Sequence, residues 1–206
     1  MKLQLPEELT DDAYGSFLST ALWRCNYRYA IDNVMDPMHG AYLHAKSHSM
    51  STGDKSAQMR LSETGQGWMF EKENQRGVNF DWVEFADTGT FWMRLAIPYR
   101  KNAGPGGNFT IIGFVTPVTE QVCQVYFWRV RKVSGWERDT WRFLYKNRLE
   151  GLHWDVLEQD RVVLEAMQDN ARTRESLYQH DAGMTKIRRD LRILAQKQVN
   201  AQTSHA

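Results

Sequence analysis

From about residue 58 to residue 145 the chain strings together short runs rich in β-branched and aromatic residues: AQMRLSET, GWMFEKEN, VNFDWVEFA, TFWMRLAIPYR, NFTIIGFVTPV, QVCQVYFWRVRKV and TWRFLYKN. Turn-forming residues such as TGQG, DTGT and NAGPGG separate them. Parallel neighbours would need crossover helices, and these spacings leave no room for them, so the runs predict an antiparallel meander. Helical periodicity flanks the block. Residues 9–32 carry apolar groups at helix-compatible spacing behind the capping residues of TDDAYG, and residues 155–175 and 184–197 return to that period. Helix, strands, helix in this order predicts an α+β fold, a curved antiparallel β-sheet covered by helices on one face. With no internal repeat or linker, the expectation is a single domain over residues 1–198 and a frayed tail over residues 199–206.

Composition narrows the function classes. A net charge of +1 supplies no global field toward nucleic acid or an acidic membrane. No apolar run approaches membrane-spanning length, and MKLQLPEELT lacks the apolar centre of a signal peptide, which predicts a cytoplasmic protein. Eight Trp, nine Phe and eight Tyr suit a large apolar cavity and equally a well-packed β core. Cys25 and Cys123 stand without a C-x-x-C or C-x-H partner, so they form neither a disulfide framework nor an iron–sulfur cluster and read as small buried hydrophobes.

The densest group of rarer polar side chains is NVMDPMHGAYLH, Asn33 to His44. Asp36 and His39 are i and i+3, side by side on a helix. His39 and His44 are i and i+5, about 140° apart on an ideal helix, and do not converge unless the backbone bends. Pro37 should open or disturb a turn, and Gly40 would give the backbone freedom to bend. Two neutral imidazoles would then offer two metal positions; the alternative is a pair of partly buried histidines satisfied by hydrogen bonds. His44 and His48 form a rival i,i+4 pair of the kind zinc hydrolases use.

A carboxylate far downstream breaks the tie. In DVLEQDRVVLEAMQ, with Val156 as origin and about 100° per residue, Val163 falls at about 340° and Met167 at about 20°, which outlines an apolar stripe. Asp160 falls at about 40°, inside it, whereas Glu158, Arg161 and Glu165 lie opposite. A core-facing carboxylate costs several kcal/mol unless it is paired or bound to metal. It pairs either with an arginine, for instance from WRVRK, or with His39 and His44 around a metal. Two histidines and one carboxylate suit mononuclear non-haem Fe(II) with positions left open for dioxygen, although zinc sites use similar sets.

The pattern N-x-x-D-x-x-H-x-x-x-x-H, here Asn33, Asp36, His39 and His44, followed by the distant segment around Gln159, Asp160 and Arg161, resembles the Rieske non-haem iron oxygenases. The likeness is to the C-terminal catalytic domain of their α subunits, with the spacing of Asn33 and Asp36 nearer the demethylase and phthalate-type branch than the naphthalene branch. The resemblance implies that His39, His44 and Asp160 hold one Fe(II), and that Asn33 sits near the iron without being a close ligand. It implies that Asp36 orients His39 and bridges to a cluster ligand on a neighbouring subunit. It also implies a homotrimer, an aromatic substrate, dioxygen, and electrons from a Rieske domain or a ferredoxin and reductase. The family's N-terminal Rieske domain has C-x-H and C-x-x-H ligand pairs, and this chain carries no [2Fe-2S] motif. The cluster then belongs to a longer chain, is encoded separately, or has been lost; Met1 as a true start would favour the last two.

The competing reading is a metal-independent helix-grip module whose aromatic-rich sheet forms a cup. Met69, Phe80, Trp82, Phe91, Trp92 and Phe114 are candidate pocket residues, of which alternation should turn roughly half inward. No residue stands out as an anchor for an aromatic acid; the arginines of WRVRKV could serve, with surface charge the preferred reading.

Overall fold

The computed structural model describes residues 4–47, 54–77, 80–87, 91–97, 108–168 and 170–203. Seven strands form one antiparallel sheet: β1 (Tyr14–Trp23), β2 (Met59–Glu63), β3 (Gly67–Lys72), β4 (Trp82–Asp87), β5 (Phe91–Ile97), β6 (Phe109–Thr119) and β7 (Val122–Lys132). Their order is β1-β7-β6-β5-β4-β3-β2. From β2 to β7 the sheet follows the chain, as the short connections require, and β1 completes the far edge beside β7. NAGPGG and all of DTGT except Asp87 lie outside the described residues.

Two elements differ from the sequence expectation. Much of the segment expected to be helical before residue 25 is β1, paired with β7 from Tyr14↔Lys132 to Trp23↔Cys123. Its inward set is Gly15, Phe17, Ser19, Ala21 and Trp23, in which three small residues hide the period of two. Leu18 and Leu22, four apart like residues on a helix, instead share the exposed face. Conversely, TWRFLYKN is not a strand. It lies in α3 (Gly135–Leu144) and the π-helical turn Tyr145–Leu149 that continues it, where Trp141, Tyr145 and Leu149 are buried at intervals of four. Aromatic richness imitated a strand there, and helical spacing decided.

The remaining helices are α1 (Tyr27–Val34), α2 (His39–Leu43), α4 (Glu150–Glu165), α5 (Ala171–Arg174) and α6 (Ala182–Thr203). Residues 199–203, expected to fray, continue α6; Gln196 Nε2 donates to Asn200 Oδ1 at 3.2 Å and Thr203 Oγ1 to Val199 O at 3.2 Å. The main core joins Val83, Phe85, Met93, Leu95, Val125 and Phe127 of the sheet to Ile31, Val34, Trp141, Leu157, Leu164 and Ile187 of the helices. A smaller cluster on the opposite face holds Ala86, Trp92, Ile112 and Val130 and is packed by Leu9 and Tyr14 rather than by the long helices. The helices therefore cover one face, giving the α+β architecture. Cys25 and Cys123 are both buried, with their Sγ atoms 4.0 Å apart.

Asp32 of α1 ties that helix to α6. Arg188 donates from Nη2 at 2.8 Å and from Nε at 3.0 Å, and Arg172 donates from Nη2 at 3.2 Å. Among the described residues no helix is long and apolar enough to cross a membrane.

Candidate metal centre

Helix α1 begins at Asn26, whose side chain accepts from Arg28 N, and carries Asn33 in its last turn. The chain then turns through Asp36 and Pro37. The Asp36 carboxylate accepts from Met38 N at 2.8 Å, and the Asp36 carbonyl accepts from His39 Nδ1 at 2.5 Å. His39 opens the five-residue α2, and His44 is its C-cap, at φ −99° and ψ 26°. The two imidazoles converge because the helix ends before His44; their rings stand edge to face with centroids 5.1 Å apart. Gly40 contributes no left-handed backbone, since among the described glycines only Gly77 and Gly135 have positive φ. Convergence comes from the shortness of the helix instead.

The carboxylate arrives on α4. The buried face of that helix is His153, Leu157, Asp160 and Leu164. Val163 and Met167, which outline the stripe expected from the sequence, are 47% and 38% exposed. The true face is centred about 70° from Val156 rather than on it. Asp160 belongs to it, and Glu158 points outward to Arg161. No arginine meets Asp160 among the described residues. Its Oδ1 lies 3.2 Å from His44 Nε2 and 3.6 Å from His39 Nε2.

One donor atom from each of these residues fits within 4.8 Å of the other two, and no other set of three potential ligands converges in this way among the described residues. Donors held about 2.1 Å from one ion stand about 3.0 to 3.4 Å apart at octahedral or tetrahedral angles, close to the two carboxylate–imidazole spacings. The hydrogen bonds also suit a cation. Each Nδ1 is engaged, His39 with the Asp36 carbonyl and His44 with Gln159 Oε1 at 3.0 Å, which turns both Nε2 lone pairs inward. His44 Nε2 and Asp160 Oδ1 are buried and make no hydrogen bond. Such orphaned atoms cost about 1 to 3 kcal/mol each, and a cation between them would remove that cost. For His44, burial pulls the pKa down, but the neighbouring Asp160 carboxylate and Gln159 outweigh it and the net shift is upward. The donor set fits a divalent metal, and two imidazoles with one carboxylate fit non-haem iron.

Above the three donors lies a pocket enclosing about 600 Å³, part of it open to solvent. Its walls are apolar over most of their extent, including Phe80, Leu95, Phe109, Ile111 and Phe127, and Asn33 also lines it. Of the six aromatic and Met candidates, Phe80 lines this pocket, edge-on to His39 with centroids 5.6 Å apart. Trp92 and Phe114 belong to the cluster on the other face, Met69 pairs there with Glu84, and Trp82 pairs with Glu71. Phe91 stacks on Phe85 at the sheet's inner margin and is 40% exposed.

Asp36 is adjacent to the centre, but its carboxylate caps Met38 N rather than His39. His48, and with it the rival histidine pair, lies outside the described residues. Two residues that the sequence reading did not assign to the centre contribute. Gln159 fixes the His44 tautomer, and Arg129, expected at the surface, is 1% exposed and lines the pocket. The strand period carried the signal for Arg129, which shares a face with Val125 and Phe127.

The profile of the vanillate O-demethylase oxygenase C-terminal domain matches residues 23–197. No curated protein matches the chain in sequence. Among solved structures, dicamba monooxygenase bound to dicamba aligns with a TM-score of 0.66 and 16% identity, over 96% of this chain and 63% of that one. Pseudomonas putida CBB5 NdmA aligns with a TM-score of 0.64 and 14% identity, over 93% of this chain and 53% of that one. The terminal oxygenase of carbazole 1,9a-dioxygenase from Nocardioides aromaticivorans IC177 aligns with a TM-score of 0.62 and 16% identity, over 88% and 58%. At such identities the likeness is one of fold. The chain spans between about half and two-thirds of the length of these proteins.

Proposed function

Because the chain belongs to the family of vanillate O-demethylase oxygenase C-terminal domains within the Rieske oxygenases, we propose that it is the mononuclear iron catalytic part of an aromatic-ring oxygenase. His39, His44 and Asp160 would hold one Fe(II). When bound, the iron supplies the position at which dioxygen is reduced, using electrons from a Rieske cluster on another polypeptide segment or chain. This chain's own residues supply the rest. Gln159 and the Asp36 carbonyl hold the imidazoles in the tautomer that presents Nε2. The apolar walls keep bulk water from the reacting ring and orient it. Asn33 lines the same cavity without being one of the three donors.

The observation that carries this reading is the meeting of His44 Nε2 and Asp160 Oδ1, buried and without hydrogen bonds, beside His39 Nε2. An ordinary core pairs such atoms with each other or with a cation of its own. Asp36 has a further part in the proposal. Its carboxylate would bridge to a histidine of a Rieske partner, in an assembly such as a homotrimer that sets one subunit's cluster beside another's iron.

The test supplies a Rieske partner, by fusion or as a separate chain, and follows product formation from aromatic ethers and acids under labelled dioxygen. Iron-dependent incorporation of label supports the reading. An iron-loaded, partner-supplied protein with no aromatic-dependent oxygen uptake contradicts it. Asp36→Asn should keep iron affinity within about 10- to 100-fold of wild type while losing most turnover. Full activity in that variant would remove Asp36 from the electron path.

A further inference from the structure

Cys25 and Cys123 are 98 residues apart in the chain, yet their Sγ atoms stand 4.0 Å from each other in the main core. Strand register brings them together. Cys123, the second residue of β7, pairs with Trp23 at the end of β1, and Cys25 follows two residues on, past the end of that strand. Cys25 occupies the short bend between β1 and α1, immediately before Asn26, the N-cap of α1. A second link crosses the same seam: Asn26 Nδ2 donates to Glu120 O, in the turn between β6 and β7, at 2.8 Å. Asn26, Glu120 and Gln121, chain neighbours of the two cysteines, line a pocket that is partly open to solvent.

The two thiols are unlike. Cys123 is fully buried, whereas Cys25 is 5% exposed. The S–H of Cys123, donated to Cys25, holds the Cys25 thiol below its usual pKa, against burial and the nearby Glu165 carboxylate. The same contact, with burial and Glu165, pushes the Cys123 thiol up. Glu165 is itself fixed in place, accepting from Arg24 N at 2.8 Å and from Arg161 Nη1 at 2.6 Å. Cys25 is therefore the thiol that ionises, and the thiolate is the form that attacks an oxidant. Bonded sulfurs stand about 2.05 Å apart, so the pair must close by about 2 Å. The bend at Cys25, outside the strand and helix ladders, is the side free to move.

We propose that Cys25 and Cys123 form a peroxide-reactive dithiol that closes to an intramolecular disulfide and staples the start of α1 to β7. In the first step the Cys25 thiolate attacks one oxygen of hydrogen peroxide. The O–O bond breaks, Cys25 becomes a sulfenic acid, and the departing hydroxide takes a proton to give water. In the second step the Cys123 sulfur attacks the Cys25 sulfur. The S–O bond breaks, and the hydroxide leaves with the Cys123 proton as a second water. The two thiols lose two electrons and the peroxide gains them. Helix α1 leads through Asn33 and Asp36 to His39, so the staple anchors the segment that carries two of the three metal donors. The inference does not depend on what the metal centre binds.

The test treats the purified chain, reduced and then freed of reductant, with a small molar excess of hydrogen peroxide. A metal chelator is present, so that no iron-driven radical chemistry contributes. Free thiols counted in denaturant should fall from two per chain to none, with a loss of two hydrogens from the intact mass. A non-reducing peptide map should join the Cys25 and Cys123 peptides within one chain. The melting temperature should rise by about 5 to 15 °C, as closure of so long a loop allows, and return when dithiothreitol is added. Cys123→Ala should stop at the sulfenic acid on Cys25, captured by dimedone, and Cys25→Ala should leave Cys123 at least about 10-fold slower to oxidise. If either alanine variant does not fold, the wild-type map and melting shift decide by themselves. Two thiols still free after peroxide, oxidation to sulfinic acid without a cross-link, or cross-links only between chains overturns the proposal. A bond between Cys25 and Cys123 that leaves the melting temperature unchanged, or lowers it, would contradict the staple.

Discussion

Asp32 and Asp160 are both buried helix carboxylates, and they are used in opposite ways. Asp32 faces two arginines on the far side of α1 and accepts four hydrogen bonds from them. Asp160 faces two imidazoles across the pocket and leaves Oδ1 without one. Burial raises the Asp32 pKa, against the pull of Arg188 and Arg172, but its charge is answered within the chain. Nothing among the described residues answers Asp160 in the same way. Burial alone therefore does not mark a functional carboxylate; the identity and saturation of its partners do.

Substitution should separate the two. Asp160→Ala removes one of three ligands, and its iron affinity should fall by more than about 100-fold, beyond the range of an outer-sphere loss. The melting temperature of the metal-free protein should not fall with it, since an apolar residue suits that buried face. Asp32→Ala should do the reverse, costing about 3 kcal/mol in denaturant unfolding by leaving two guanidinium groups without their partner, while the folded protein keeps its iron. A variant pair in which both lose iron equally would erase the distinction.

The next effect is on pH. The His44 pKa is raised in the folded, metal-free protein, so its contribution to stability is fully present below about pH 6.5 and is lost as pH rises through the raised value. Iron binding runs the other way, because the proton must leave: affinity should rise across that window, by up to about tenfold per pH unit. Equilibrium iron titrations at several pH values check the sign. Smaller still, Gln159→Leu should weaken iron by about 10-fold through loss of the tautomer lock, and Glu158→Ala, on the outer face, should leave it unchanged.

The meander from β2 to β7 was legible because short turn-bounded runs leave few topologies open. The three proposed donors were legible as residue types at a characteristic spacing, and the structure brings His39, His44 and Asp160 together. What the sequence hid shares one cause, polar or small residues on inward faces. On α4, His153 and Asp160 occupy two of the four buried positions, so hydropathy points the stripe toward exposed Val163 and Met167 instead. On β1, Gly15, Ser19 and Ala21 blur the inner face, and exposed Leu18 and Leu22 imitate a helix. On β7, Arg129 looks like surface charge until the register places it inside. Asp160 was identified as inward-facing although the stripe used to place it was off-centre, since about 40° falls within both the expected and the true face. Convergence of His39 and His44 was expected from a bend at Gly40, but its cause was not legible, because it depends on where a five-residue helix stops.

The central claim is that His39, His44 and Asp160 form one iron site. The most direct measurement is metal content after anaerobic loading with Fe(II) and desalting, on wild type and Asp160→Ala side by side. The account predicts about one iron per chain in the wild type and almost none in the variant. Iron retained equally by both, or absent from a correctly folded wild type, would contradict it.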